Sequence, residues 1–133
     1  LELALNTVID MGYKTIRLIG ALGGRFDQSL ANLMLLTRTN LMGQDIRMED
    51  GTTEAFFFRH RATINGNAGD TVSLLPILEP ARRIVTEGLY YPLKAETLWP
   101  ERTRGISNVM TGNVATIHIG EGSLLCIHSR KSE

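Results

Sequence analysis

Apolar residues recur at helical spacing only near the start of the chain. Leu1, Leu5, Val8 and Ile9 fall on one helical face and Gly12 follows as a stop. A β-branched strand is expected over residues 14–19. A second stripe, Leu30, Leu33, Met34 and Thr37, predicts another helix ending near Asn40 or Gly43. Helix, strand and helix in this order read as the tail of a parallel α/β unit, in which ligands gather at the carboxyl ends of strands. After Gly43 the pattern changes to short β-rich segments separated by turn residues, with no helix thereafter, which is the texture of a sandwich. Asp50-Gly51, between Ile46–Glu49 and Thr53–Arg59, signals a two-residue hairpin. Further strands are expected near 61–64, 70–76, 83–87, 94–98, 113–119 and 123–129. The expected fold class is α+β, with a helix-strand-helix segment over 1–43 and an antiparallel β-sandwich over 44–133.

Composition narrows the partners. The chain has 133 residues, enough to bury a core in one domain or one domain with part of another. Lys and Arg number 14 and Asp and Glu 14, so no global field attracts nucleic acid or an anionic membrane. No apolar run approaches the roughly 20 residues that span a bilayer, and the start lacks signal-peptide order. Cys126 sits in the apolar run Ser123–Ile127 and reads as a small buried hydrophobe. Cytoplasm is the expected compartment.

Local chemistry concentrates where the 14–19 strand empties into glycines and a helix opens. Gly20, Gly23 and Gly24 suit positive φ and close backbone approach to a phosphate, and the helix N-terminus adds partial positive charge. Arg25 offers a planar cationic fork and Asp27 a carboxylate beside it. The same residues also suit a plain local ion pair, with Asp27 capping the helix. The spacing matches neither the P-loop nor the dinucleotide fingerprint.

Five motifs in one order then resemble the thiamine pyrophosphokinase family: Gly23-Gly-Arg-Phe-Asp-Gln28, Gly69-Asp-Thr-Val-Ser-Leu-Leu-Pro76, Thr86-Glu-Gly-Leu-Tyr-Tyr-Pro-Leu-Lys94, Gly105-Ile-Ser-Asn108 and Gly112-Asn-Val-Ala-Thr116. The resemblance implies diphosphate transfer from ATP to the hydroxyethyl oxygen of thiamine, with attack on the β-phosphorus, giving thiamine diphosphate and AMP. It implies that Gly23, Gly24, Arg25 and Gln28 meet the nucleotide, that Arg25 clamps phosphate oxygens, and that Asp27 orients the nucleophile or a Mg²⁺-bound water. Ser107 and Asn108 would help hold thiamine. Members begin with an α/β half whose aspartates hold Mg²⁺ and ATP. This chain opens inside a later helix, so it is expected to be a C-terminal portion, inactive by itself and with no metal ligands of its own. Residues 1–43 would then be the remnant of the ATP-binding domain and 44–133 the thiamine-binding sandwich. A homodimer with thiamine bound between the subunits' domains is also implied.

Blander readings stand beside these. Ser107-Asn108 also fits an ordinary turn. Trp99, the single Trp, fits core or interface as well as an aromatic face for thiazolium or aminopyrimidine, and Thr97–Arg104 departs from the family's small, glycine-rich spacing. His60, His118 and His128 lack ligand spacing, so no zinc site is expected. Arg59-His60-Arg61 and Arg82-Arg83 read as solvated faces. Phe56–Phe58 and Tyr90-Tyr91 suit either an interface or a strand core. The rival function is a non-catalytic β-sandwich module that binds a ligand or pairs with itself.

Overall fold

The computed structural model describes residues 1–38 and 44–132. The helix end expected near Asn40 or Gly43, like the boundary expected at 43/44, lies outside the described residues. The elements in order are α1 (Glu2–Asp10), β1 (Thr15–Ile19), α2 (Phe26–Leu35), β2 (Asp45–Asp50), β3 (Thr53–Asn65), β4 (Thr71–Leu75), β5 (Ala81–Glu87), β6 (Lys94–Leu98), β7 (Asn108–Val109) and β8 (Val114–Ser129). The mixed α+β class is as expected, with two helices and a predominance of strand. Two compact units form, Leu1–Phe56 and Phe57–Glu133.

In the first unit, α1 ends as its sequence suggests: Gly12 takes φ +88 and its N–H reaches the Ile9 carbonyl at 2.9 Å. Strands β1 and β2 pair in parallel, Ile16 opposite Ile46 and Leu18 opposite Met48. Leu5, Ile16, Ile46, Met48, Ala55 and Phe56 supply buried apolar surface. Helix α2 stops at Leu35, short of the expected end, because the next amides turn back by three residues: Leu36 to Leu33, Thr37 to Met34 and Arg38 to Leu35. The Thr37 hydroxyl also donates to the Met34 carbonyl at 2.7 Å. No α2 residue is fully buried, and Leu30 and Met34 of the apolar stripe are exposed while Leu33 is half-buried.

The hairpin closes one residue later than Asp50-Gly51 suggests. Asp50 pairs with Thr53, so Gly51, at φ +58, and Thr52 form the turn while Asp50 ends β2. Arg47 packs 4.0 Å over the Phe56 ring and pairs with Glu54 at 3.2 Å. Burial pushes the Asp45 carboxyl up, but Arg17 and Arg47 together hold it below its ordinary value.

Two pairs of strands expected as separate pieces are continuous. The 53–59 and 61–64 segments are one strand, β3, with His60 at φ +70 marking an irregularity rather than an end. Segments 113–119 and 123–129 are likewise one strand, β8. Gly122, at φ +97, lets β8 deform without breaking, and a Cβ there would lie 2.7 Å from the Pro80 carbonyl. The early part of β8 pairs with β5, Val85 opposite His118, and its late part with β4, Leu74 opposite Cys126. Cys126 is fully buried, as its run predicts. Strand β6 adds to β5 and the short β7 to β4.

Asp70 ties these strands together. It is fully buried, 2.8 Å from Nε2 of the equally buried His128, and accepts backbone N–H groups from Asn67 at 3.0 Å and Lys131 at 2.9 Å. Burial pushes its carboxyl up, yet the Lys131 amide, His128 and the Asn67 amide outweigh that and hold it below its ordinary value. A carboxyl depressed on folding adds stability above its unfolded value and loses it as pH falls through the folded one. Asp70→Asn puts an amide against at least one of these donors. It is expected to destabilise the protein by about 3 kcal/mol at pH 7, with the difference shrinking below about pH 4, in denaturant titrations across pH. A pH-independent difference would remove the charged carboxylate from the account.

Candidate functional site

The glycine loop lies at the carboxyl end of β1, beside that of the parallel β2. The Gly20 N–H donates to the Glu49 carbonyl at 3.2 Å. Gly20, Gly23 and Gly24 take φ +74, +87 and +69, the left-handed values that the sequence anticipated. A Cβ on Gly23 would lie 2.8 Å from Oδ2 of Asp50, which the shifted hairpin brings to this loop. The amides of Gly23 and Gly24 donate to no described residue, so they are available to an anion at the start of α2.

Arg25 is the residue before α2 and Asp27 lies in its first turn. Asp27 therefore does not cap the helix as expected. Its carboxylate instead grips Arg25 twice, Oδ2 to Nη2 at 2.6 Å and Oδ1 to Nε at 3.2 Å, and accepts the Gln28 N–H at 2.9 Å. Arg25 and Asp27 remain mostly exposed, and Gln28 is exposed beside them. Two residues that the sequence reading passed over shape the loop: Ser29 donates to the Gly23 carbonyl at 3.0 Å, and Asn32 to that of Ala21 at 2.8 Å. Their signal was a Ser and an Asn within the first two turns after a glycine run.

The second unit assembles three of the sequence motifs around Asn108. Leu74 donates to the Gly105 carbonyl at 2.8 Å, and a Cβ on Gly105 would drive into the Leu74 carbonyl. Ser107, at φ +60 and exposed, sends its N–H to Ser73 Oγ at 3.0 Å. Asn108 is 8% exposed and opens β7 rather than sitting in a turn. Its Oδ1 accepts the N–H groups of Tyr91 and Val109, both at 2.9 Å, and its Nδ2 donates to the Tyr91 carbonyl at 2.7 Å. The neighbouring backbone is laced the same way, Tyr90 to Val109 at 2.8 Å and Thr111 to Gly88 at 3.0 Å.

Beside this clamp is a groove of ≈ 220 Å3 lined by Tyr91, Arg104, Ile106 and Asn108. Glu96 holds Arg104 through Nε and Nη2 at 3.0–3.3 Å. Tyr90 and Tyr91 are exposed and meet edge to face with centroids 4.8 Å apart, whereas Phe56 is buried. Trp99 does not line this groove. Its ring is 41% exposed with the Arg82 guanidinium 5.0 Å from its centroid, so it is not a core residue. Among the described residues no cluster of three His, Cys, Asp or Glu side chains is placed to hold a metal. No described helix is long and apolar enough to cross a membrane, which leaves strands untested.

Residues 59–124 match the family model described as thiamin pyrophosphokinase, vitamin B1 binding domain. The fold is similar to that of the Bacillus subtilis thiamine pyrophosphokinase, with 26% identity, TM-score 0.88 and coverage of 98% of this chain and 62% of that one. It is also similar to the Geobacillus thermodenitrificans thiamin pyrophosphokinase, with 24% identity, TM-score 0.82 and coverage of 98% and 61%. The Candida albicans thiamin pyrophosphokinase has the same fold at 17% identity, TM-score 0.74 and coverage of 88% and 44%. The chain thus spans about three-fifths of the length of these bacterial structures. No curated protein sequence matches it.

The loop geometry makes one direct prediction. Gly23→Ala adds a left-handed alanine and crowds Asp50, so it is expected to lower stability by about 1–2 kcal/mol. Adding Asp50→Ala should return only the crowding part. Full recovery in the double variant, followed by thermal melts, would show that the positive φ carries no strain.

Proposed function

Because the chain belongs to the thiamine pyrophosphokinase family, we propose that it is the C-terminal part of an enzyme that transfers diphosphate from ATP to thiamine, giving thiamine diphosphate and AMP. The observation that carries this reading is the vitamin B1 binding match, whose 59–124 span holds Trp99, Ser107 and Asn108. In the proposal, residues 1–43 are the remnant of an ATP-binding α/β domain and 44–133 a thiamine-binding β-sandwich. Thiamine and ATP are its ligands, a homodimer its assembly and the cytoplasm its place.

The proposed phosphate work falls to the glycine loop. Its free amides and the α2 N-terminus suit phosphate oxygens, and Gln28 lies beside them. Arg25 would clamp the transferred group, exchanging part of its bond to Asp27 for phosphate, and Asp27 would turn to the attacking hydroxyl. Negative charge grows on the phosphoryl oxygens as the β-phosphorus is attacked, and the Arg25 guanidinium would stabilise it there. Mg²⁺ is expected for the reaction, and none of the described residues is assigned to it. Ser107, Asn108 and Trp99 are proposed for the thiamine side, with one face of Trp99 already under Arg82.

Release of AMP and formation of thiamine diphosphate by the intact natural protein, against this 133-residue chain alone, tests the reading. Activity is expected only from the former. If the intact protein binds thiamine without turning ATP over, the non-catalytic module is the better reading. Within an active protein, Arg25→Ala is expected to lower kcat/KM for ATP about ten- to a hundredfold, the value of one charge-assisted contact of roughly 1.5–3 kcal/mol. Tm should barely move, since the exposed pair with Asp27 stabilises little. Unchanged kinetics would reduce Arg25 to a surface residue.

A further inference from the structure

We infer that Asp50 receives the ribose hydroxyls of the nucleotide that meets the glycine loop. The inference rests on the ATP reading above and adds to it a residue from the last position of the β1–α2–β2 unit.

Asp50 breaks the pattern of its own strand. Alternation along β2 puts Ile46, Met48 and Asp50 on one face, and the first two are buried apolar side chains while Asp50 is exposed. Asp45, Arg47 and Glu49 fall on the other face, where Arg17 pairs with Asp45 at 3.1 Å and with Glu49 at 3.7 Å. Arg47 pairs with Asp45 at 3.3 Å and, across the hairpin, with Glu54 at 3.2 Å. Of the four acids between Asp45 and Glu54, only Asp50 lacks a guanidinium among the described residues. Its carboxylate takes no hydrogen bond from them either.

The carboxylate stands against the glycine loop instead. Ile19 is opposite Glu49, and the Gly20 N–H extends that ladder to the Glu49 carbonyl, so β2 ends where the loop begins. Oδ2 of Asp50 lies 2.8 Å from the place a Cβ on Gly23 would take. An acid here has no cation and crowds the loop, so nothing in the fold uses its charge.

Its use is therefore sought in the ligand. A carboxylate only accepts hydrogen bonds, and beside amides suited to phosphate it repels the phosphate itself, so it needs a donor on the same molecule. The phosphate chain of ATP carries none. The donors nearest that chain are the ribose 2′ and 3′ hydroxyls, a vicinal pair that two carboxylate oxygens can accept together, whereas the adenine amino group lies beyond the sugar. Position agrees with this chemistry. In parallel β-α-β units that bind nucleotides, the glycine loop after the first strand takes phosphate and an acid near the end of the second takes a ribose hydroxyl. Strands β1 and β2 are adjacent and parallel, α2 lies between them in the chain, and Asp50 is the last residue of β2. The glycine spacing is not that of the dinucleotide fingerprint, so the likeness is one of strand position and chemistry alone.

Steady-state kinetics of the intact natural protein with ATP, 2′-deoxy-ATP and 3′-deoxy-ATP, at saturating thiamine and excess Mg²⁺, test the assignment. The wild type is expected to prefer ATP over at least one deoxy analogue by about tenfold in kcat/KM, the value of one hydrogen bond to a charged group. Asp50→Ala is expected to bring that ratio to within about twofold of one, with Asp50→Asn, which keeps an acceptor without the charge, in between. Each ratio is measured on one preparation, so partial misfolding of a variant cancels. A wild type that uses ATP without discriminating, or an Asp50→Ala variant that keeps the wild-type ratios, overturns the ribose assignment and leaves the ATP reading standing. Equal loss on all three nucleotides overturns it too: restoration by raised Mg²⁺ would make Asp50 a metal ligand, and no restoration would turn it towards the attacking hydroxyl. A wild type that transfers no diphosphate from ATP overturns both.

Discussion

One buried carboxylate sets the frame of the second unit. Asp70 takes donors from the turn after β3, from His128 late in β8 and from Lys131 beyond it, while its own carbonyl accepts the Met110 N–H at 2.8 Å. The ends of four strands are thereby fixed around one residue. Taking a carboxylate out of water is tolerable only when each lone pair is used, and here the surroundings over-compensate, leaving the acid more acidic than usual. Strand β7 and the Ser107-Asn108 segment hang from β4 within two residues of this knot, Val72 opposite Asn108. The groove lined by Tyr91 and Asn108 therefore inherits its geometry from a residue that does not line it.

Local chemistry was legible in the sequence and distant pairing was not. Gly12, Gly20, Gly23 and Gly24 declared their positive φ because a backbone need is written in one residue. The 94–98 strand fell on the bounds expected of it. By contrast, β3 and β8 looked like pairs of strands because His60 and Gly122 resemble stops. They continue because partner strands supply hydrogen bonds on both sides of the irregularity, and no local pattern records that. The one-residue shift of the hairpin has the same origin: the Asp50–Thr53 pairing follows from the β2–β3 register, which a dipeptide signal does not encode.

The site was readable to a similar depth. Arg25 and Asp27 are neighbours in sequence, and their ion pair follows from that proximity. Asn108 was visible as a motif residue, but its work on Tyr91, 17 positions away, needs the fold. Arg104 was seen only as one residue of an atypical stretch, because the Glu96 that makes it rigid lies eight positions earlier on β6. Asp70 stood in a motif for another reason still. Its partner His128 is 58 residues distant, and neither looked exceptional alone.

The two units hold their candidate site residues in different ways. Backbone amides in left-handed glycines and a guanidinium on an exposed loop suit an anion, which is multiply charged and symmetric. Arg25 is mostly exposed and held by one carboxylate, whereas the backbone of Tyr91 is pinned at both ends by a buried amide. The backbone beside the second unit's groove is thus fixed by side-chain hydrogen bonds, while the charged pair of the glycine loop stays open to solvent.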